Sequence, residues 1–297
     1  MAPAIITNNL SRSFGDIRAV DGLSFTVEAG EMFGLVGPDG AGKTTTLRML
    51  CGILAPSGGS ATVLGKDVVR EPDEVKKEIG YLSQRFSLYG DLSIDENIEF
   101  FAEINGVFDF QQRREELLEF TRLTPFRGRL AERLSGGMKQ KLALACTLVH
   151  TPKVIFLDEP TTGVDPVSRR DFWKILQSLV LRGITIVMTT PYLDEAERCT
   201  HVGLMSGGRI IRADAPELLR KEMRGEVVEI VCDRIRDAVR ILRDQPGVRE
   251  IQSFGDRLNA IIEKSGTASA SLASRLRKEG ISVTSARAIR TTCNQTG

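Results

Sequence analysis

The stretch Phe33-Gly34-Leu35-Val36-Gly37-Pro38-Asp39-Gly40-Ala41-Gly42-Lys43-Thr44 decides the fold class. A short apolar run enters a glycine-rich loop, and a segment of helical character, Lys43 to Cys51, leaves it. Gly37 to Thr44 fits G-x-x-x-x-G-K-[ST], in the strand–loop–helix setting that this motif requires. Glycines let backbone N–H groups converge on phosphate oxygens without Cβ clashes. The helix N-terminus adds partial positive charge. Lys43 supplies a mobile point charge for β- and γ-phosphates, and the Thr44 hydroxyl can ligate Mg²⁺. A chance glycine turn is the competing reading, and it leaves the Lys-Thr pair in this setting unexplained. By itself the loop predicts a nucleoside triphosphate ligand and nothing narrower.

Working outward, Val154-Ile155-Phe156-Leu157 and Ile184-Thr185-Ile186-Val187-Met188 are nearly continuous apolar runs. They predict strands buried on both faces of a parallel sheet covered by helices. The first thirty residues alternate instead, as in Leu23-Ser24-Phe25-Thr26-Val27, which predicts antiparallel strands. From about Ser93 to His150 apolar residues recur at helical spacing, for example Ile98, Phe101 and Ala102, then Leu117, Leu118 and Phe120. The charged stretch Leu219 to Gly225 reads as a helix end and a linker. Beyond it the rhythm changes to a strand (Val227 to Cys232), a helix (Ile235 to Arg243) and two strands (Val248 to Phe254, Leu258 to Glu263). A helix (Ala268 to Lys278) and a last strand (Ile281 to Ala286) follow. That β-α-β-β-α-β order predicts a small ferredoxin-like α+β domain. The expected division is therefore 1–224 and 225–297, with a helical subdomain at about 89–150.

Bulk properties narrow the function. Among 297 residues, 40 Lys and Arg against 39 Asp and Glu give a formal net charge of +1, which argues against a protein built to neutralise nucleic-acid phosphates. No window offers the ~18 continuous apolar residues of a membrane-spanning helix. Met1 to Asn9 lacks a basic segment followed by an apolar run, so no secretory signal is expected. Five scattered cysteines without a Cys-x-x-Cys pair read as reduced thiols rather than disulfides or a metal site.

Leu134-Ser135-Gly136-Gly137-Met138-Lys139-Gln140 narrows the class. Ser135 is a good N-cap, and Gly136 and Gly137 leave backbone N–H groups open at a helix start. Met138, Leu142, Ala145 and Val149 form one apolar stripe that would fix the helix against the core. Downstream, Val154-Ile155-Phe156-Leu157-Asp158-Glu159-Pro160 ends a buried strand in two adjacent carboxylates. This heptapeptide and the segments around it resemble the ATP-binding cassette family over residues of about 5 to 222. The resemblance implies an α/β P-loop NTPase cassette: a RecA-like parallel sheet, N-terminal antiparallel strands and a helical subdomain. It also implies ATP and Mg²⁺ as ligands, a cassette dimer, and ATP hydrolysis.

Carried onto matching positions, the resemblance implies that Asp158 holds Mg²⁺ with Thr44 and Gln84, and that Glu159 is the general base. Gln84, in Tyr81-Leu82-Ser83-Gln84-Arg85-Phe86, matches the glutamine that senses metal and γ-phosphate. Asp165, in Thr161-Thr162-Gly163-Val164-Asp165, matches the acid at the dimer seam. Phe14 occupies the place of the aromatic that stacks on adenine, or else belongs to the core. Phe14, Gly37, Pro38, Asp39, Gly40, Ala41, Gly42, Lys43, Thr44, Thr45, Ser135, Gly136, Gly137 and Asp165 are the expected nucleotide contacts, and Lys43, Gln84 and Glu159 the catalytic ones.

One position departs from the pattern. Where the family carries Thr-Thr-His, this chain has Thr189-Thr190-Pro191, followed by Tyr192. Proline offers neither a side-chain donor nor an N–H. Alternation along an extended segment would send Thr190 and Tyr192 to the opposite face, so neither is expected to stand in. His201 lies far downstream and is expected to be structural or surface. Losing one donor to a developing oxyanion costs about 2.7–4 kcal/mol, or about 10²–10³ in rate. Slow hydrolysis at this chain's own site is expected. Its intact Ser135-Gly136-Gly137 would serve a partner's site, which favours a heterodimer over a homodimer.

Tyr81 to Gly90, then Asp91-Leu92-Ser93, resembles the ABC-2 type, drug-resistance exporter branch, as does the C-terminal domain. Phe86, Leu88 and Tyr89 are then candidates to contact a separate permease subunit, or else pack inside the helical subdomain. The implied location is peripheral, on the cytoplasmic side of the membrane. Chains of that branch finish in an acidic-hydrophobic helix, whereas this one ends Thr291-Thr292-Cys293-Asn294-Gln295-Thr296-Gly297. Two other readings remain: a regulatory nucleotide-binding subunit with negligible hydrolysis, and a soluble cassette ATPase outside transport.

Overall fold

In the computed structural model, residues 2–84, 88–222, 226–243, 245–254, 257–262 and 268–289 are described. The chain divides into two compact units, 1–216 and 217–297.

The first unit opens with two long strands, β1 (Pro3–Phe14) and β2 (Ile17–Glu28), paired antiparallel. Strand β3 (Met32–Val36) runs through the loop at 37–42 into helix α1 (Lys43–Leu50). Then come β4 (Gly58–Val63), β5 (Lys66–Asp67), α2 (Pro72–Glu78) and β6 (Ile79–Leu82). Helices α3 (Ile94–Ile104), α4 (Gln111–Thr121) and α5 (Gly136–Leu148) fill the stretch read as helical. Ser93 and Glu96 form a reciprocal capping box at the start of α3. After β7 (Val154–Asp158) come α6 (Pro166–Leu181), β8 (Thr185–Thr190), the short α7 (Leu193–Ala196), β9 (His201–Ser206) and β10 (Arg209–Asp214).

Two sheets result. The N-terminal strands make an antiparallel sheet in the order β2-β1-β4-β5; the other runs β10-β9-β3-β8-β7-β6. In the second, β9, β3, β8, β7 and β6 are parallel, and β10 adds an antiparallel edge. Every residue of β3, β7 and β8 is buried, which is why these runs lack polar alternation. The hairpin β9–β10 turns through Gly207-Gly208, both at positive φ.

Helix α8 (Pro216–Glu222) begins where the units divide. The second unit runs β11 (Glu226–Cys232), α9 (Ile235–Arg243), β12 (Val248–Phe254), β13 (Arg257–Ile262), α10 (Ala268–Lys278) and β14 (Val283–Ile289). Its antiparallel sheet has the order β12-β13-β11-β14, a split β-α-β arrangement. Val228, Ile230, Leu258 and Ala260 from the strands form one core with Ala238, Leu242, Leu272 and Leu276 from the helices. The tail at 290–297 lies outside the described residues, as does Phe86.

Candidate functional site

Sheet topology creates the site. Val36 pairs with Thr190 across β3 and β8, and Asp158 with Thr189 across β7 and β8. The carboxyl ends of three adjacent parallel strands therefore release the 37–42 loop, the Asp158-Glu159 pair and the 190–192 turn at one edge. Ligands of open α/β sheets bind at such an edge.

Gly42 has φ 98°, and a Cβ there would overlap the Ala19 carbonyl oxygen. Gly42 is the N-cap of α1 and gives no side-chain cap, so the first N–H groups of the helix are left for a ligand. Lys43 is 3 % exposed. Its Nζ donates to the carbonyls of Gly37 at 2.7 Å and Pro38 at 3.0 Å. It also pairs with Glu159 Oε1 at 3.2 Å.

The two carboxylates are held differently. Asp158 Oδ1 accepts from Thr44 Oγ1 at 2.9 Å and from Thr189 Oγ1 at 2.8 Å. Tyr81 OH lies 3.4 Å from Oδ2. Burial, with the Asp158 charge beside it, pushes the Tyr81 phenol up to about 12, so it stays a neutral donor. Glu159 Oε2 accepts from Gln84 Nε2 at 3.0 Å. The Glu159 backbone sits at φ 47°, unusual for a residue with a Cβ. Its N–H is anchored on Thr189 Oγ1 at 2.9 Å.

A cleft of about 520 Å³ is lined by Asp39, Gly40, Ala41, Gly42, Lys43, Thr44, Thr45, Gln84 and Glu159. These are residues the sequence pointed to. Ala19, Thr162, Pro191 and Tyr192 join them. Tyr192 corrects an expectation: it lines the same cleft as Pro191 instead of facing away. Strand β8 ends at Thr190, so the two-residue alternation does not extend into the bend that follows. Thr190 does turn away, its hydroxyl donating to Glu195 Oε2 at 2.7 Å.

The remaining expected residues lie outside the cleft lining. Phe14 is 47 % exposed at the β1–β2 turn, which removes the core reading, and the Arg12 guanidinium lies 4.7 Å from its ring centroid. Ser135 is the N-cap of α5, accepting from the Met138 N–H at 3.3 Å. In the stripe read from the sequence, Leu142, Ala145 and Val149 are buried and Met138 is half-buried. Asp165 caps α6, accepting from Val167 and Ser168 N–H groups at 3.1 and 2.9 Å; the Ser168 hydroxyl first, and then these N–H groups, hold its carboxyl below the usual range. Tyr89 is 46 % exposed and meets Phe100 edge-on, with ring centroids 4.4 Å apart. His201 Nδ1 contacts Glu31 Oε2 at 2.7 Å, away from the cleft.

An oxygen donor set of Thr44 and Asp158 suits Mg²⁺, which takes one or two protein oxygens and completes its shell with phosphates and water. Among the described residues no helix is long and apolar enough to cross a membrane.

Comparisons with known proteins agree with this fold. A family model described as ABC transporter matches residues 20–162. The probable multidrug ABC transporter ATP-binding protein YbhF of Escherichia coli K12 is 49 % identical over 230 residues, covering 76 % of this chain. That alignment spans 40 % of YbhF, so this chain matches less than half of that relative's length. The daunorubicin/doxorubicin resistance ATP-binding protein DrrA of Streptomyces peucetius is 40 % identical over 239 residues, covering 79 % of this chain and 71 % of DrrA. A solved dimeric ATP-binding cassette in a post-hydrolysis state, bound to ADP and Pi, superposes with a TM-score of 0.65 at 25 % identity. That match covers 71 % of this chain and 98 % of the solved one.

Proposed function

This chain belongs to the ABC transporter family of ATP-binding proteins, and from that membership we propose that it is the ATP-hydrolysing motor subunit of an exporter. The observation that carries the proposal is the gathering of Lys43, Thr44, Gln84 and Glu159 around one cleft at the carboxyl edge of the parallel sheet. Backbone amides from Asp39 to Thr45 cradle the triphosphate, and Lys43 exchanges its loop carbonyls for phosphate oxygens. Thr44 and Asp158, with Gln84, would hold Mg²⁺, and the ion would supply positive charge against that of the phosphates. Glu159 orients and polarises the attacking water from a carboxylate fixed at both oxygens, by Lys43 and Gln84. Phe14, exposed at its turn, is available to stack on adenine.

Ser135, Gly136 and Gly137 lie outside this chain's own cleft lining. In the proposed assembly they complete the site of a second cassette, with Asp165 at the seam, and nucleotide closes the pair until hydrolysis reopens it. Pro191 on the cleft wall makes this chain's site the slow one, which favours a histidine-bearing cassette as partner. ABC-2 type permease subunits, contacted near Leu88 and Tyr89, would place the assembly on the cytoplasmic side of a membrane. The near-neutral charge supports no nucleic-acid partner. Support for export comes from the kind of relatives found, a multidrug transporter protein and a drug-resistance protein. The 225–297 segment is proposed as an accessory domain.

Titration of a fluorescent ATP analogue against the wild type and Lys43→Ala tests the core of this reading. The variant should bind roughly tenfold or more weakly, since it loses a buried charge aimed at the phosphates. Equal affinities, or no binding by either, would remove its basis.

A further inference from the structure

Glu195 is fully buried and is absent from the cleft wall. A buried carboxylate persists only when hydrogen bonds and charge compensate it, so its partners define its role. Thr161 Oγ1 donates to its Oε1, and Thr190 Oγ1 donates to its Oε2 at 2.7 Å. Arg169 Nε, from α6, lies 3.7 Å from Oε1.

Those partners sit on either side of the proposed reaction centre. Thr161 lies two residues beyond Glu159, and Thr190 ends β8 just before Pro191. Thr190 Oγ1 also accepts from the Tyr192 N–H at 3.1 Å, and the Arg169 guanidinium lies 5.2 Å from the Tyr192 ring centroid. Tyr192 in turn lines the cleft. The left-handed φ of Glu159 needs surroundings that over-determine it. Thr189 secures it from the amide side, and Thr161 on Glu195 secures the segment that follows.

We propose that Glu195 is a positioning residue. Through Thr161 and Thr190 it locks the segment after Glu159 to the Pro191–Tyr192 turn, setting the cleft for attack on the terminal phosphate without touching nucleotide. This rests on the reading of Glu159 as the base given under Proposed function.

Single-turnover ATP hydrolysis by the full chain, with nucleotide affinity and melting temperature measured alongside, tests it. Glu195→Ala should slow the chemical step by about 10- to 100-fold, as a misplacement of ~1 Å does, while nucleotide affinity stays within about twofold. Glu195→Gln retains an acceptor for one threonine and offers a donor to the other, so it should recover to within about threefold of wild type. Thr161→Val and Thr190→Val, nearly isosteric, should each lose about three- to tenfold and add nothing further in the Glu195→Ala background; they carry the test if Glu195→Ala does not fold. The proposal is overturned if rate, affinity and stability fall together with no recovery by glutamine, or if the valine variants hydrolyse at the wild-type rate. Glu159→Gln separates the two readings: an active Glu159→Gln sinks the base assignment and this inference with it. An inactive one beside unimpaired Glu195 and threonine variants sinks this inference alone.

Discussion

Replacing Pro191 by histidine is the sharpest perturbation the cleft offers. Pro191 stands on the wall shared by Lys43, Gln84 and Glu159, with neither an N–H nor a side-chain donor. The other parts are in place: Lys43 lies 3.2 Å from Glu159, Gln84 3.0 Å from it, and Thr44 2.9 Å from Asp158. The variant therefore adds one donor to a cleft where this chain's other expected groups are already gathered. Such a donor is worth about 2.7–4 kcal/mol at a developing oxyanion. At about 1.36 kcal/mol per tenfold, that corresponds to ~10²–10³ in rate. Tyr192 already occupies part of the same wall and constrains the imidazole, so the expected gain falls at or below the bottom of that range, about 10- to 100-fold. The assay is single-turnover hydrolysis with enzyme in excess. ATP affinity should stay within about threefold, because the donor acts on charge that develops in the transition state. A Glu159→Gln change should abolish the gain. Removing proline from the bend also frees the unfolded chain, at about 0.4–1 kcal/mol, so the melting temperature should drop by roughly 1–4 °C. A gain under about threefold, with affinity intact and Glu159→Gln inactive, would refute the idea that a donor is missing here.

Two further outcomes follow from packing and titration. A Cβ at Gly137 would overlap Ser168 Oγ and Cβ, so Gly137→Ala must push α5 from the first turn of α6, costing about 1–3 kcal/mol. At ~2–4 °C per kcal/mol for a unit of this size, the variant should melt at least ~2 °C lower, and adding Ser168→Gly should restore part of the loss. A wild-type melting curve for Gly137→Ala would show that the helices approach less closely than this. His150 Nε2 contacts the Ile79 carbonyl at 2.8 Å, which assigns the proton to that nitrogen, and Nδ1 is buried with no partner among the described residues. Burial lowers the pKa of His150 below its ordinary 6.5, because a second proton would land on that unpartnered atom. A base whose folded pKa is depressed contributes stability above its unfolded pKa and loses it as pH falls through 6.5 toward the folded value. The melting temperature of the wild type should accordingly decline between about pH 7.5 and 5.5 more steeply than that of His150→Gln, and parallel declines would count against the assignment.

What the sequence disclosed and what it withheld divide by the range of the interaction. The phosphate loop was legible because its determinants are local: a strand, glycines, Lys43 and Thr44 within one turn of chain, and Gly42 does sit at φ 98°. Buried strands were legible because burial on both faces removes polar alternation, so β7 and β8 lie within a residue or two of the runs that predicted them. The local logic failed where the regular element stopped. Alternation carried two residues past β8 assigned Tyr192 to the wrong face, and only the bend after Thr190 brings it to the cleft. Nothing in the sequence pointed to the threonines as a set. Thr189 touches Asp158 and Glu159, thirty-one and thirty residues away, and Thr161 meets Glu195 thirty-four residues on. Threonine at a strand end is too common to signal either contact, since its β-branch suits a strand whatever its hydroxyl does. The acidic motifs thus name the groups that would act on a phosphate. The unremarked hydroxyls around them, at Thr161, Thr189 and Thr190, fix the angle at which those groups are presented. Variants at these threonines should therefore change the chemical step more than nucleotide affinity, whereas those at Lys43, which meets Glu159 as well as the loop, should lower both.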